Sequence, residues 1–338
     1  MSKKLILGGL GVWLIFVSAS AYAMGGFPFG KSWKSDSISY HAPCWGEDNK
    51  IYFIKKVTFA VVTEKPDMIT GGTYFVHDVK YFLCSMNYDG TEKKEITELF
   101  TNKARRVYKR IYRRGFEITS LSDSYLDYSI ATKRLVYNIG DSGIWTINID
   151  GSDEKCISSD GTHPSWSPDG DRVVYRIHIV KGERGKDGFF KGPLEDYYSL
   201  WIMDADGSNE HKIFEGKKDE PLESPIWSPK GDLIAFVCNF WIWVMKPDGR
   251  ERRRVCESMY LMDWGSEGDK VIIAGGIVEL NGNLLKRLKF GGYSSPDGKL
   301  LINPSFDILE IETEKRINPL ADIKHPEHFV YKKPNNIW

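Results

Sequence analysis

The sequence predicts an all-β chain: a six-bladed β-propeller of four-stranded antiparallel blades, with a short amphipathic helix inserted after blade one. Three observations predict it. An aromatic residue followed by a Pro-Asp-Gly-like turn recurs six times. A second signature, an alternating strand ending in Asp-Gly, follows most of these copies. Aromatic content is 13%, with 11 Trp and 17 Tyr, and aromatic residues favour strands.

The first signature reads PSWSPDGDRVVY (164–175), PIWSPKGDLIAF (225–236) and MDWGSEGDKVII (262–273). Weaker copies are LDYSIATKRLVY (126–137), SSPDGKLLIN (294–303) and PCWGEDNKIYF (43–53). The aromatic position falls at Trp45, Tyr128, Trp166, Trp227, Trp264 and, by substitution, Ser294. Each copy reads as a hairpin. A strand ends at the aromatic, Pro presets φ and Gly accepts positive φ in the turn, and an apolar strand returns.

The second signature reads FLCSMNYDGT (82–91), IWTINIDGSD (144–153), LWIMDADGSN (200–209) and IWVMKPDGRE (242–251). Five and three residues before the Gly-preceding Asp stand Cys84 and Met86, Trp145 and Ile147, Trp201 and Met203, and Trp243 and Met245. A spacing of two puts each pair on one face of a strand, which is expected to be the buried face. Blade five degenerates to VELNGN (278–283) and blade six to ILEIETEKRI (308–317). Four strands repeated six times make a propeller, whereas a sandwich of unrelated hairpins would not repeat two signatures in fixed order.

These residues resemble the WD-like repeat of the TolB-type propeller family: an aromatic, Ser-Pro-Asp-Gly, a strand, then a strand ending in Asp-x-Asp-Gly. Trp166 to Asp171 and Asp204 to Gly207 match that pattern, and Trp227 to Asp232 nearly so. The resemblance covers about residues 40–320, strongest in blades three and four and weakest in one and six. It implies a propeller that binds and does not catalyse. About 20 residues separate the export signal from the first repeat, so the N-terminal domain of TolB is not expected.

That export signal occupies residues 1–23. Lys3 and Lys4 precede an apolar run from Leu5 to Ala19, and Ala21-Tyr22-Ala23 supplies an A-x-A cleavage pattern, with cleavage expected after Ala23. An uncleaved anchor is the alternative, but the run is short and contains Gly8, Gly9 and Gly11. Residues 24–338 are then one propeller domain in the periplasm or outside the cell, with no integral span after cleavage. Without Lys3 and Lys4 the chain holds 44 basic against 46 acidic residues. That balance gives no global pull towards nucleic acid. Five cysteines leave at least one unpaired, and Cys84 and Cys238 lie in apolar strand-like runs where buried free thiols are expected.

The ring must close. Residues 34–41 alternate and are the expected outer strand of the last blade; the segment 328–331 is the alternative. Spacing locates the insertions. The aromatic lies 22 residues before the Asp in blade two and 21 in blade four, but 44 in blade one and 40 in blade three. The extra chain falls near 57–80 and 179–198, and a third insertion follows blade one near 101–118. There, TNKARRVYKRIYRRG (101–115) carries Ala104, Val107, Tyr108, Ile111 and Tyr112 at helical spacing. Arg105, Arg106, Lys109, Arg110 and Arg113 fill the other face, which either contacts an anionic surface or is solvated on a helix packed against the propeller wall.

No Gly-x-Ser-x-Gly, phosphate loop, dinucleotide fingerprint or His-Glu-x-x-His occurs. No catalytic residue, metal site or cofactor is therefore assigned. The candidate binding residues are those expected at the channel mouth, His41, His163, Glu223 and Tyr260, with the basic helix as a second surface. The reading is an exported, non-catalytic binding or scaffold propeller docking a protein, peptide or glycan of the cell envelope. The alternative is a polysaccharide lyase or hydrolase at the mouth, which would need acid, base or metal groups to converge there.

Overall fold

The computed structural model describes residues 32–63, 73–99, 124–140, 142–184 and 190–320. Six four-stranded antiparallel sheets follow one another along the chain. Blade one has its inner strand at Ser32–Trp45 and blade two at Ser124–Ser129. Blades three and four begin with Thr162–Trp166 and Leu222–Trp227, and blades five and six with Leu261–Trp264 and Tyr293–Ser294. Each inner strand packs beside the next, and the first packs beside the last, so the ring is closed. All six aromatic positions fall at or next to the far end of an inner strand. Among the described residues there is one 3-10 turn, Glu47–Asn49, and no α-helix. The expected helix at 101–115 lies outside the described residues.

The two sequence signatures have separate mechanical roles. In the first, a buried serine organises the turn. The Ser167 hydroxyl binds Asp169 at 2.5 Å and accepts the Arg172 N–H at 2.9 Å, and Ser295 repeats this with Asp297 and Leu300 at 2.6 and 2.9 Å. In the second, the glycine of each Asp-Gly turn abuts the outer strand of the preceding blade. An added Cβ would stand 2.3 Å from the Ile157 carbonyl at Gly207 and 2.2 Å from the Ile213 carbonyl at Gly249. At Gly90 it would stand 2.4 Å from the Pro319 carbonyl, which carries the same contact across the junction of blades six and one. Glycine is required there both for φ near +80° to +90° and for backbone-to-backbone approach.

The paired positions share one face as expected. Trp145 with Ile147, Cys84 with Met86, and Met245 with Trp243 each enter a single apolar cluster between blades. The junction of blades six and one is filled by Trp45, Ile51, Phe53, Phe306, Ile308 and Leu320, and the Trp45 Nε1–H donates to the Tyr293 carbonyl at 2.9 Å.

One expectation fails. Residues 34–41 do not complete the last blade. They extend the inner strand of blade one, pairing in register from Lys34 opposite Val61 to His41 opposite Ile54. Blade six supplies its own outer strand, Arg316–Ile317, paired to Ile308–Glu310. The alternation at 34–41 is real, but it matches the insertion in its own blade, whose strand Lys50–Thr63 offers a long partner. The segment 328–331 lies outside the described residues. None of the five cysteines, Cys44, Cys84, Cys156, Cys238 and Cys256, is in a disulfide.

Both long insertions near 57–80 and 179–198 are hairpin extensions. In blade one Lys50–Thr63 pairs with Thr73–Asn87, and in blade three Arg172–Arg184 pairs with Phe190–Asp204. Their tips leave the ring on the side where the inner strands begin, here called the mouth. The Ser-Pro-Asp-Gly and Asp-Gly turns occupy the opposite face.

Candidate functional site at the channel mouth

The inner strands enclose a central cavity of about 270 Å3, with residues of all six blades on its wall and Ile130, Pro229 and Pro296 at its turn-face end. In blades one, three and four the inner strand is bulged three residues before its aromatic, at Ala42, His163 and Ser224, each followed by proline. These three residues have φ of +51°, +57° and +48°. The following proline has no N–H to lose from the ladder, which makes the interruption tolerable. Non-glycine residues at positive φ cost roughly 1–3 kcal/mol each and concentrate where structure positions a binding group.

The bulge turns His163 inwards. The ring is buried, and Tyr125 of blade two lies over it, with centroids 3.6 Å apart and planes at 36°. His163 Nε2 stands 3.2 Å from Glu223 Oε2, across the junction of blades three and four. Arg176 completes the group. Its guanidinium contacts the Glu223 carboxylate, donates to the Leu222 carbonyl at 3.2 Å and donates through Nε to the Thr162 hydroxyl at 3.2 Å. Burial alone would raise Glu223, but the His163 bond and the Arg176 charge outweigh it and hold the carboxyl below its usual range. The network continues outward. Arg176 lies 5.7 Å from the Tyr198 ring, which stacks on His178 at 4.3 Å, and His178 pairs with Asp196 at 2.8 Å. A polar and aromatic chain thus runs from the channel rim to the base of the blade-three hairpin.

Of the four residues expected at the mouth, the fold brings His163 and Glu223 into contact. His41 stands apart, on the extended strand of blade one, bound to the Ser39 hydroxyl at 2.7 Å. Burial, reinforced by Lys56, pushes its imidazole down to about 4. His41 lies four residues before its aromatic and His163 three, and one residue along a strand reverses a side chain's direction. Tyr260 is on the mouth face, 52% exposed, in the loop between blades four and five. Beside it are Met259, 55% exposed, and Phe240, 49% exposed, whose carbonyl accepts the Ser258 N–H at 2.9 Å. Arg105, Arg106, Lys109, Arg110 and Arg113 lie outside the described residues.

Sequence reasoning missed Arg176 and two carboxylates deeper in the channel. Asp127 and Asp263 each directly precede the aromatic of blades two and five, on opposite sides of a six-bladed ring. Asp127 accepts the Tyr128 N–H at 2.9 Å and the Trp166 N–H of blade three at 2.7 Å. Asp263 accepts the Trp264 N–H and the Ser294 N–H of blade six, both at 2.7 Å. Each carboxylate therefore fastens two neighbouring blades while facing the channel. A charged residue one place before the aromatic, where most blades carry none, was the available signal. Among the described residues, no three His, Cys, Asp or Glu side chains converge on a metal-sized position.

No family model matches the chain. It is similar to an uncharacterized protein of Agrobacterium fabrum, 30% identical over 122 residues, covering 34% of this chain and 39% of that one. It is similar to the Tol-Pal system protein TolB of Vesicomyosocius okutanii, 27% identical over 167 residues, covering 49% of this chain and 35% of the relative. A shorter match, 58% identical over 38 residues and 10% of this chain, is to TolB of Wolbachia pipientis. The chain thus spans between a third and two fifths of the first of these curated relatives. Among solved structures, an oligogalacturonate lyase in complex with manganese overlays with a TM-score of 0.45 at 12% identity, covering 86% of this chain and 85% of that one. The repeats and the six closed blades together make this a six-bladed β-propeller, similar over part of its length to TolB proteins.

Proposed function

We propose that the chain is an exported, non-catalytic propeller of the cell envelope that docks a protein or peptide partner on its mouth face. The observation that carries this is the placement of exposed apolar side chains. Ile179 and Val180 on the blade-three hairpin, and Phe240, Met259 and Tyr260 beside the channel, are all exposed on the side where the inner strands begin. Apolar side chains grouped around a polar, pre-ordered depression are the composition of a protein-binding surface. The His163–Glu223–Arg176 group supports the same reading, because its members satisfy one another and leave a rigid rim. The similarity to TolB proteins of the Tol-Pal system favours an envelope partner, and the A-x-A segment at 21–23 favours export.

A polysaccharide lyase or hydrolase is the second reading, favoured by the contact of His163 with Glu223 at the channel rim. It needs a further group to take up or deliver a proton, and His41 is not placed to do so.

The test compares two faces in cells. Serine at Phe240, Met259 and Tyr260 is set against serine at Tyr88 and Ile130, exposed residues of the opposite face. Co-purification of the envelope partner should fall at least tenfold for the first set and hold for the second. Retention by the first set, or cleavage of a polysaccharide by the native chain that is lost with His163→Ala, would overturn the proposal.

A further inference from the structure

We infer that the outer groove between blades three and four takes an acidic segment of the docked polypeptide, extended and with carboxylates at alternate residues, bound by Arg252 and Arg254. This deepens the docking reading and rests on it. Both arginines belong to the outer strand of blade four, Arg253–Glu257, and the turn that leads into it. Arg254 is paired across the sheet with Trp243, and its guanidinium stands over two rings, 4.8 Å from Trp241 and 5.1 Å from Trp243. Arg252 reaches across to the outer strand of blade three, His211–Glu215, where it stands 4.7 Å from the Phe214 ring. Phe214 and Trp243 are half-buried against the apolar cluster between these blades, and Phe214 packs on Phe236 at 5.4 Å. Both guanidiniums therefore lie over one junction, on an aromatic floor.

A guanidinium stacked on a ring is held in place while its in-plane N–H groups stay free for a carboxylate. Arg252 and Arg254 are exposed, and among the described residues no carboxylate pairs with either. The nearby acids are engaged or apart. Glu251 contacts Lys246, Asp248 holds Arg250, and Glu257 lies further along, opposite Trp241. Other cations beside the outer strands meet the chain's own acids: Lys55 meets Glu95, Arg134 meets Asp153, Lys212 meets Glu215 and Arg316 meets Asp307. The pair over the junction of blades three and four is positioned but unneutralised, which is complementary to acids supplied from outside.

Spacing selects the shape of the ligand. Arg252 and Arg254 are two residues apart, roughly 6–7 Å along an extended backbone. An extended peptide repeats its same-face side chains at that interval, so Asp or Glu at every second residue meets both forks. The strand then leads to the mouth. Glu257 is followed by Ser258, Met259 and Tyr260, so the groove is continuous along the chain with the exposed apolar side chains assigned to docking. Glu257 bounds the basic stretch on that side, and the acidic run of the partner ends before its apolar anchor. A polypeptide carrying both parts satisfies the whole surface, whereas a lipid surface offers charges without that order.

The experiment titrates the purified full chain with acetyl-Thr-Asp-Thr-Asp-Thr-amide, followed by NMR. One control replaces both Asp by Asn. A second, acetyl-Thr-Thr-Asp-Asp-Thr-amide, keeps charge and composition but sets the carboxylates side by side. The alternating peptide should bind about tenfold tighter than the Asn peptide and several-fold tighter than the second control. Its affinity should fall as salt rises from about 0.05 to 0.3 M. Arg252→Gln with Arg254→Gln should abolish the preference and lower co-purification of the partner several-fold. Arg254→Lys, which keeps the charge and loses the fork, should weaken binding several-fold and serves if the double variant does not fold. Arg250→Gln should change nothing. Equal binding of the Asp and Asn peptides, equal binding of the two Asp peptides, a preference that survives the double substitution, or one lost with Arg250→Gln overturns the inference. Tighter binding of polygalacturonate or of phosphatidylglycerol vesicles through the same two arginines also overturns it, since the groove then serves a glycan or a lipid. If the preference is absent while the Phe240, Met259 and Tyr260 variant still loses its partner, the docking reading stands and only this inference falls.

Discussion

At Gly249 an added Cβ would meet the Ile213 carbonyl at 2.2 Å, and the backbone sits at φ +79°. At Gly140 φ is +52° and nothing lies within 4 Å. The two glycines separate conformational strain from collision between blades. Gly249→Ala should lower stability by about 2–4 kcal/mol, since strain of about 1–3 kcal/mol is joined by a backbone clash. Gly140→Ala should cost about 1 kcal/mol; urea unfolding of both variants measures the difference. Asp127 and Asp263 make stability depend on pH. Burial lifts both above their unfolded values, so between pH 4 and 7 the folded chain holds more protons than the unfolded chain. By linkage their contribution is present below pH 4 and is lost as pH rises through about 6 and 7. The melting temperature should therefore carry a component that falls across that window, and Asn at both positions should flatten it. A slope unchanged by the two substitutions would show that the carboxylates are not held as described. At this scale the sequence was partly legible. The turn residues Asp169, Gly170, Asp206 and Gly207 announce themselves by type and spacing. Arg176 did not, because its partners Glu223 and Thr162 come from other strands and no local pattern links them. His41 is a related case: it stands one residue before the bulge at Ala42 and binds Ser39, and distance along the chain does not record which side of a bulge a residue stands on.

The blade-three hairpin extends well beyond the strands that pack into the ring. Its core residues are Val173, Val174, Tyr175, Leu200, Ile202 and Met203, all fully buried or nearly so, while Ile179 and Val180 face solvent. The extension is thus separable from the blade. Replacing 181–195 by Asn-Gly keeps the Val180 to Asp196 pair and supplies a two-residue hairpin turn. The shortened chain should unfold cooperatively within a few degrees of the native one and lose partner binding, measured by thermal melting and by co-purification. Loss of the fold would contradict the assignment of the extension to the surface. The sequence located both insertions from the aromatic-to-Asp spacing alone. It did not show that 34–41 joins the first of them, because an alternating strand carries no record of its partner. Only the long strand at Lys50–Thr63, in register from Ser32 opposite Thr63, settles that pairing.

Over the whole molecule, each blade is built from consecutive strands, and among the described residues no strand is exchanged across the closure. The ring is held at that point by side chains: Trp45, Ile51 and Phe53 against Phe306, Ile308 and Leu320. Leu320 is 1% exposed, and Leu320→Ala should cost about 2–4 kcal/mol, the usual range for a buried leucine, measured by denaturant unfolding. The number of blades was readable because six turns repeat. The closure was not, since it depends on apolar residues that any blade interface would use. The proposed function follows the same division between the two faces. One face consists of short turns; the other gathers the hairpins, the ordered rim and the exposed Phe240, Met259 and Tyr260. Site-specific photocrosslinking in living cells tests that division most directly, with the reactive group placed at Tyr260 on the mouth face or at Ile130 on the turn face. A discrete polypeptide adduct from position 260 and none from position 130 is the predicted result. Adducts from position 130 with none from 260 would contradict the account.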